Sequence, residues 1–537
     1  MTTMGLQRPT GNRRVAVLPL ANMSSDARDE IFSDGMTEEL ISALSKIAGL
    51  RVIARTSVMR YKNSKKSIGE ISKELNVSAI LEGSVRRAGN KIRITVQLAD
   101  PKTEEQLWTE KYDRDLEDIF AVQSEIAQKV AGELEIQINK SEKLNLDKKA
   151  TDSKEAYTLY LEGRHFLNTR TEDGLKRAIE LFGKALAKDP QYALAYTGVA
   201  DSYAVLALLE FLPPREAFPK ARTAAEKALE IDNRLAEAHT SLGAVRFQYD
   251  WDWESAEKEF KRAIELSPSY APAHQFYADF LKSQGRFDEA LAEMSHAEAL
   301  DPLSLAINTG VGHVLYLSRQ YDRAIDQYQK AIKLNPEFVQ ARLWFGRPYL
   351  QKRMYKEAIA ELNHAMALSG GSTISLAMLG HAYAAAGNKK EAEKISEKLM
   401  ERSKHQYVPS YWIAMLRIGF GDKDESFIWL ERAFQERSSW LAWAGVEPRF
   451  DALRSDPRFA SLMAKMKLKP PKDTALGIRG WLKGPSKWSS LVENILRILC
   501  FHPSILSMRG RSRRFRGTFR YALPPSRLVS ECPNLTT

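Results

Sequence analysis

Two hydrophobic periods divide the chain. From Arg13 to Ile138, short apolar runs that suit buried strands alternate with stretches in which apolar residues recur at helical spacing. The run RRVAVLPL predicts a strand, and EIFSDGMTEELISALSKI predicts an amphipathic helix. SIGEISKEL predicts a shorter helix, because Ser67 and Glu70 have the spacing of a capping box. These patterns predict a small α/β domain over residues 13–140.

A hairpin and a closing helix complete this domain. In SAILEGSVRRAGNKIRITVQL, apolar and polar residues alternate from Ile92 to Leu98, and Gly89 and Asn90 supply the turn. RVIARTSV and EEQLWTEKYD predict two further strands, and IFAVQSEIAQKVAGELEIQI predicts a helix. The expected product is a sheet of a few strands covered by helices.

From Glu155 to about Leu468 the helical period is repetitive. A small residue recurs every 34 positions, at Ala278, Gly312, Gly346, Gly380 and Ala414. Three earlier units, marked by Gly163, Ala200 and Gly243, fit with insertions. Short side chains at such positions let two antiparallel helices approach closely. The spacing is that of tetratricopeptide (TPR) repeats, and it predicts an all-α superhelix of about eight repeats over residues 155–437.

Residues 438–468 predict helices that cap the superhelix. Large apolar residues of this stretch are expected to cover the face that the last helix pair leaves open. These residues are Trp443, Phe450, Leu453, Phe459, Leu462 and Met466. Residues 469–537 are basic and proline-bearing, without a helical apolar stripe, and predict a tail of low order. Such a tail could be an arm for an acidic partner or a membrane surface, or an extension translated past a frame change. Residues 1–12 also predict disorder.

The distribution of charge argues against a nucleic-acid groove in the body of the chain. The net charge is +11 over 537 residues. Residues 471–537 supply +9 of it, from 12 Lys and Arg against 3 Asp and Glu, which leaves +2 for the other 470 residues. A nearly neutral body lacks the field that neutralises phosphates. We therefore predict no nucleic-acid binding by the body.

The compartment is predicted from cysteine usage and hydropathy. Cys500 and Cys532 are the two cysteines, so neither a disulfide framework nor a thiolate metal cage is expected in the body. The sequence shows no secretory signal and no apolar run of about 20 residues. These features predict a cytoplasmic protein without a transmembrane segment.

The first domain resembles a known family. The stretches VAVLPLANMSSD, FSDGMTEELISALSKI, LRVIARTS, LNVSAILEGSVRRAGNKIRITVQLAD and EQLWTEKYDRDLEDIFAVQSEIAQKVA resemble the TolB-amino-terminal-like domain of bacterial regulatory proteins. That family joins this domain to TPR repeats on its carboxyl side. Its members often carry a cyclase, winged-helix or kinase domain on the amino side, frequently with a membrane helix. About a dozen residues precede the first strand here, so the resemblance implies the non-catalytic half of such a protein.

The sequence lacks the familiar motifs of catalysis. It contains no G-x-x-x-x-G-K-[ST] phosphate loop, no H-E-x-x-H pair, no G-x-S-x-G elbow and no paired C-x-x-C. Its histidines never pair at i, i+4, and its acidic residues lie on periodic helix surfaces. We therefore predict no catalytic residue, no cofactor and no metal ligand.

A TPR superhelix offers a concave groove, lined by the first helix of each repeat. Counting from the small-residue markers predicts ten groove residues. They are Gln275, Asp279, Lys282, His313, Tyr316, Arg347, Gln351, His381, Tyr411 and Met415. Such a lining suits an extended peptide or a helix of a partner protein, with Tyr and Arg as anchors. Alternatively, some of these residues, Tyr316 and Tyr411 in particular, pack between neighbouring helices.

Three functional hypotheses follow. The first is a non-catalytic scaffold whose groove binds a partner protein while the α/β domain adds a docking or sensing surface. The second is a detached regulatory arm of an adenylate cyclase-type or transcriptional signalling protein. The third is an enzyme with an unrecognised site in the α/β domain.

Overall fold

The structure is a computed structural model that describes residues 13–24, 26 and 29–468. It contains a small α/β domain followed by a TPR-type helical solenoid. Across the described residues, every helix is too short or too polar to cross a membrane. The tail predicted at residues 469–537 and the disorder predicted at residues 1–12 lie outside the described residues.

The α/β domain has one sheet covered by helices. Its strands are β1 (Arg14–Val17), β2 (Ala21–Asn22), β3 (Arg51–Val52), β4 (Ala79–Ala88), β5 (Lys91–Ala99) and β6 (Gln106–Asp115). The strand order is β3-β1-β4-β5-β6, and β2 also pairs with β4. Strand β1 runs parallel to β3 and β4, whereas β4, β5 and β6 are antiparallel. The helices are α1 (Asp29–Ser45), α2 (Arg55–Val58), α3 (Ile68–Leu75), α4 (Ile119–Glu133) and α5 (Lys140–Leu146).

Most local predictions for this domain are confirmed. The hairpin pairs Ala88 with Lys91 across a turn in which Gly89 has a φ of +59°. The Ser67 hydroxyl accepts from the Glu70 amide, and the Glu70 carboxylate accepts from the Ser67 amide, so the capping box is present. The strand predicted for RVIARTSV is wrong beyond Val52, because the chain leaves the sheet there and forms α2.

The chain leaves the sheet because it docks onto the repeats. The Ala54 amide donates to the Leu300 carbonyl oxygen at 2.8 Å. The Ser57 hydroxyl donates to an Asp301 carboxylate oxygen at 2.5 Å. One repeat earlier, the Ser269 hydroxyl donates to the Leu50 carbonyl oxygen at 2.7 Å. The α/β domain is therefore fixed to two successive turns between repeats.

Sixteen helices form eight consecutive pairs in the described part of the repeats. They are α6 (Lys154–Thr169), α7 (Glu172–Lys188), α8 (Ala193–Leu208), α9 (Pro214–Ile231), α10 (Ala236–Val245), α11 (Trp253–Leu266), α12 (Ala271–Ser283), α13 (Phe287–Leu300), α14 (Leu305–Leu317), α15 (Tyr321–Leu334), α16 (Val339–Gln351), α17 (Tyr355–Leu368), α18 (Thr373–Ala385), α19 (Lys389–Arg402), α20 (Ser410–Phe420) and α21 (Lys423–Gln435). A π-helical turn, Arg246–Asp250, extends α10.

Small residues sit where the helices of a pair touch. A Cβ atom added to Gly312 would lie 2.7 Å from the Tyr328 ring, and one added to Gly346 would lie 2.8 Å from Leu362. A Cβ atom added to Gly163 would lie 2.5 Å from the Phe182 ring. Each contact joins a small residue on the first helix to a large side chain on the second. The 34-residue spacing therefore reflects a steric requirement of the helix pair.

The solenoid turns far enough for distant repeats to meet. The Glu210 carboxylate, in the loop between α8 and α9, accepts hydrogen bonds from the indoles of Trp412 and Trp440. The ring of Trp251 stacks on Phe434 at a centroid distance of 5.3 Å. These contacts close one turn of the superhelix.

Residues 438–468, which we call the inner segment, run through the middle of this turn. The inner segment contains two 3-10 helices, Ser439–Trp443 and Pro448–Phe450, followed by α22 (Pro457–Lys465). One apolar core, extending from Phe247 to Leu468, includes side chains of the inner segment and of helices α12 to α21. The concave side of these repeats is thus buried in the interior.

Paired glycine substitutions test the steric account of the repeat. Gly312→Ala should lower the free energy of unfolding by about 1 to 3 kcal/mol, because the new methyl group collides with the buried Tyr328 ring. Gly183→Ala, on exposed α7 surface with nothing within 4 Å, should instead raise it by about 0.5 to 1 kcal/mol through helix propensity. Urea denaturation measures both, and equal effects of the two changes would contradict the account.

The burial of Asp301 at the contact with the α/β domain should make the stability of the protein pH-dependent. Burial raises the pKa of Asp301 to about 7, although hydrogen bonds from Ser57, Thr56 and Ser304 oppose the shift. Folding therefore takes up a proton, and stability is lost as the pH rises through about 7. Between pH 5.5 and 8.5, Asp301 should make the free energy of unfolding of the unaltered chain fall by on the order of 2 kcal/mol. Asp301→Asn should lack this fall. Urea denaturation at both pH values measures it; the exposed Asp326→Asn is the control, and an unchanged pH dependence in Asp301→Asn would contradict the assignment.

Candidate protein-binding hollow

The ten predicted groove residues lie on the first helices of five successive repeats, α12, α14, α16, α18 and α20. We call the space that these helices enclose the hollow. Seven of the ten residues are buried, and Gln275, Asp279 and Gln351 are partly exposed. The repeat period predicts an open groove, whereas the hollow contains the inner segment. In this conformation the buried groove residues contact the chain itself.

Trp443 shows how far the inner segment reaches. Its indole N–H donates to the Asp279 carbonyl oxygen at 3.2 Å, and the Lys282 ammonium lies 5.8 Å from its ring centroid. Both partners are on α12, four repeats before the last helix pair. The apolar face that this segment covers is therefore the interior of the superhelix as well as the end of the last pair.

Trp440 joins the two sides of the closed turn. Its ring packs edge-on against Trp344 at 5.4 Å and lies 5.1 Å from the Trp412 ring. Its N–H donates to Glu210 at 3.1 Å. Burial raises the pKa of Glu210 to about 7, and the two indole donors oppose that shift.

Glu447 is the polar centre of the hollow. Arg449 binds both oxygens of its carboxylate, with Nε at 2.9 Å and Nη2 at 3.0 Å. Tyr316 donates its hydroxyl hydrogen to the same carboxylate, and Nη1 of Arg347 lies 3.6 Å from it. The side chains of Glu447, Arg347 and Arg449 are at most 2% exposed. A carboxylate in this position is held by charge-assisted hydrogen bonds in a dry environment.

The charges in this centre determine the protonation of its neighbours. Burial alone would raise the pKa of Glu447, but Arg449 and Arg347 hold it well below its ordinary value. Burial and three nearby cations lower the pKa of His313 far below its usual range. Burial and Arg449 lower the pKa of His381 to about 4. Glu447 is therefore ionised at neutral pH, while both histidines are neutral.

The two tyrosines that the sequence left ambiguous both touch the inner segment. Tyr316 binds Glu447, and the Tyr411 ring lies 6.1 Å from Phe450 and 6.4 Å from Trp440. The Arg347 guanidinium stacks on Trp344, with Cζ 3.6 Å from the ring centroid. His381 and Met415 meet through a hydrogen bond between Nδ1 and the Met415 carbonyl oxygen at 2.6 Å. Aromatic and cationic groups thus alternate along the hollow.

Sequence reasoning missed Trp440 and Glu447, which enter the hollow from the inner segment, and it placed Trp443 only over the face of the last helix pair. A signal was present: WLAWAGVE places a charged residue four positions after the second of two tryptophans, inside an otherwise apolar run. A surface cap has no need for that arrangement.

A second cluster of polar groups lies outside the hollow. His274, Glu293 and His296 could hold a metal ion, since their ligand atoms lie within 4.8 Å of one another. However, His274 occupies a recurring position whose side chain binds the carbonyl oxygen six residues earlier. The pairs are His239 with Asn233, His274 with Pro268, Asn308 with Pro302 and Arg342 with Pro336. This recurrence explains the His274 contacts as part of the repeat.

Comparisons with known families agree with the two-part architecture. Residues 11–129 match the second domain of HilA/YgeH-like transcriptional regulators. Three TPR families match residues 252–307, 312–353 and 374–406. The chain therefore carries TPR repeats and a HilA/YgeH-like amino-terminal domain.

Two curated relatives extend this similarity. The chain is 36% identical over 233 residues to putative adenylate cyclase 3 of Rhizobium meliloti, covering 42% of this chain and 39% of that protein. It is 24% identical over 352 residues to transcriptional regulator HilA of Salmonella typhimurium, covering 63% of this chain and 62% of that protein. The chain thus spans less than two thirds of the length of either relative.

Two solved structures of pilus-related proteins show partial likeness. PilF of Pseudomonas aeruginosa matches with a TM-score of 0.30 and 22% identity, over 39% of this chain and 95% of that one. PilW, a type IV pilus biogenesis factor, matches with a TM-score of 0.33 and 18% identity, over 41% and 97%.

Neutralising Glu447 should destabilise the protein strongly. Glu447→Gln removes the carboxylate that Arg449 and Arg347 share and leaves two buried guanidinium groups without their counter-charge. We expect a loss of about 3 kcal/mol in the free energy of unfolding at pH 7. Asp451→Asn removes a more exposed carboxylate, which Arg319 and Arg454 share, and should cost about 1 kcal/mol or less. Urea denaturation followed by tryptophan fluorescence compares them, and similar losses would contradict the central role of Glu447.

Proposed function

We propose that this chain is a non-catalytic protein-binding module of a bacterial regulatory system, and that the hollow of its TPR repeats is the binding site. The observation that carries the proposal is the inner segment itself. A polypeptide stretch lies in the hollow against residues chosen from the repeat period alone, which supports the assignment of these residues to protein binding.

The inner segment also indicates the chemistry of a partner. It presents two tryptophans three residues apart and a glutamate four residues after the second. The charged side chains that the repeats place around it are three cations, Lys282, Arg319 and Arg347, and one carboxylate, that of Asp279. A lining of this kind favours an aromatic and acidic segment. We propose that a partner segment of this type exchanges with the inner segment.

The α/β domain is proposed to sense or dock a second partner. The family that matches this domain is the second domain of HilA/YgeH-like transcriptional regulators, and a regulatory family of this kind supports a sensing or docking role. The turns that bind Leu50, Ala54 and Ser57 lead directly into α12 and α14. The same two helices contact Trp443 and Glu447. Binding to the α/β domain and binding in the hollow would therefore act on the same two rigid helices.

A second candidate is a regulatory arm for an output domain. The similarity to HilA over 63% of this chain, and to a putative adenylate cyclase over 42%, supports it. In this case the module controls an adenylate cyclase-type or transcriptional activity carried elsewhere. The chain itself then produces no cyclic nucleotide.

Peptide exchange tests the proposed binding site in the full chain. Trp443→Ala combined with Glu447→Ala should loosen the inner segment and allow a fluorescein-labelled peptide of residues 438–456 to bind. Fluorescence anisotropy should rise with this variant, and remain flat with the unaltered chain, in which the hollow is filled. Arg458→Ala, a change on the exposed side of the inner segment, is the matched control and should behave like the unaltered chain.

The specificity of exchange is checked with a peptide in which the positions of Trp443 and Glu447 are alanine. This peptide should not bind the double variant. A folded double variant that ignores the labelled native peptide would contradict the proposal. So would loss of the helical circular dichroism spectrum in the double variant, because the inner segment would then be an inseparable part of the core.

A further inference from the structure

The centre of the hollow holds more positive charge than its carboxylates balance. Lys282, Arg347 and Arg449 are each at most 5% exposed. Facing them are the carboxylates of Glu447 and Asp279, which leaves an excess of one positive charge. His313 and His381 are neutral and add none. Uncompensated charge in a buried site is costly, so a counter-ion would stabilise this centre.

Within residues 29–468, the surrounding elements do not supply the missing negative charge. On the side of α14 and the inner segment, Arg319 and Arg454 share a single carboxylate, that of Asp451. Burial raises the pKa values of Tyr316 and Tyr411, so both phenols are uncharged at neutral pH. These elements therefore leave the electrostatic potential around Arg347 and Arg449 positive.

The two guanidinium groups also have unused hydrogen-bond donors. Arg347 directs Nη1 toward Glu447 and His313, while its Nε and Nη2 have no hydrogen-bond partner among the described residues. Arg449 binds Glu447 through Nε and Nη2, while its Nη1 has no partner among them. Each buried N–H group left without an acceptor costs about 1 to 3 kcal/mol, and more when it is charged.

Glu447 cannot satisfy these donors as well. Its Oε1 already accepts from Tyr316 and from the side chain and backbone amide of Arg449, and its Oε2 accepts from Arg449 and faces Arg347. In a planar guanidinium, Nη1 points away from the edge formed by Nε and Nη2, so the free edge of Arg347 faces away from Glu447. A separate acceptor is needed, and the excess of positive charge favours one that is negatively charged.

We propose that the centre of the hollow binds one small monovalent inorganic anion, of the chloride type, at the free Nε and Nη2 edge of Arg347. The charge of the anion follows from the excess of one cation. Its small size follows from the burial of both arginines, which leaves no route for a bulky group. Guanidinium is weakly hydrated and pairs well with a weakly hydrated anion once both leave water.

The first test measures the stability of the full chain against sodium chloride at constant ionic strength. Sodium gluconate makes up the difference, because its anion is too large for the centre. Above the dissociation constant, the folding equilibrium constant should rise about tenfold for each tenfold rise in chloride. Arg458→Gln, an exposed arginine, is the control and should retain this response.

Arg347→Gln separates anion binding from a merely structural role. The substitution removes the excess charge while Glu447 keeps its two-point contact with Arg449. This variant should lose the chloride response and should be at least as stable as the unaltered chain when chloride is absent. A variant that is equally destabilised at every chloride concentration would overturn the proposal, as would an unaltered chain that shows no response.

A second measurement needs no variant. Crystals of the full chain grown in sodium bromide should show an anomalous difference peak in contact with Nη2 or Nε of Arg347. A carboxylate of a partner or ordered water at that place, without bromide, would overturn the proposal. So would bromide peaks confined to the protein surface.

Discussion

The apolar and aromatic lining of the hollow is the constraint on which the rest of the structure depends. Helices α12 to α20 direct Trp344, Tyr411 and Trp412 inward, and exposing these apolar side chains to water would be unfavourable. The inner segment removes that surface from solvent with aromatic groups of its own. Once the hollow is dry, Glu447 and its two arginines lie in a medium of low polarity and hold their partners strongly. The closure at Glu210 then follows, because Trp440 needs an acceptor for its buried N–H.

Local rules explain what could be predicted from the sequence. The capping box at Ser67 and the turn at Gly89 depend on neighbours a few residues away, and the 34-residue spacing reports the contact between paired helices. Counting from Gly312 and its equivalents selected Tyr316, Arg347 and Tyr411, which are buried against the inner segment. What covers those side chains could not be predicted in this way. The apolar run around Trp443 shows that this stretch is buried, but not that it lies against α12, 164 residues earlier. The shortened β3 has a similar cause, since the hydrogen bond from Ala54 ends at Leu300.

The two ends of the described chain act on the same helices from opposite directions. The α/β domain contacts the turns before α12 and α14, while the inner segment contacts the inner faces of these helices. TPR repeats are usually elastic, because each unit contacts only its neighbours. Here both attachments bridge several repeats and oppose such motion.

Closure of the superhelix at Glu210 also bears on how such a chain can evolve. Repeat arrays ordinarily grow or shrink by duplicating or deleting a unit, since any unit can stack on any other. In this chain, the loop after α8 must meet Trp412, so the number of units between them is set by the geometry of a single turn. One added unit would carry Trp412 past its acceptor and leave the tryptophan cluster misaligned. The array is therefore locked in length, and its lineage is expected to change by substitution and by loop insertions rather than by gain or loss of whole units.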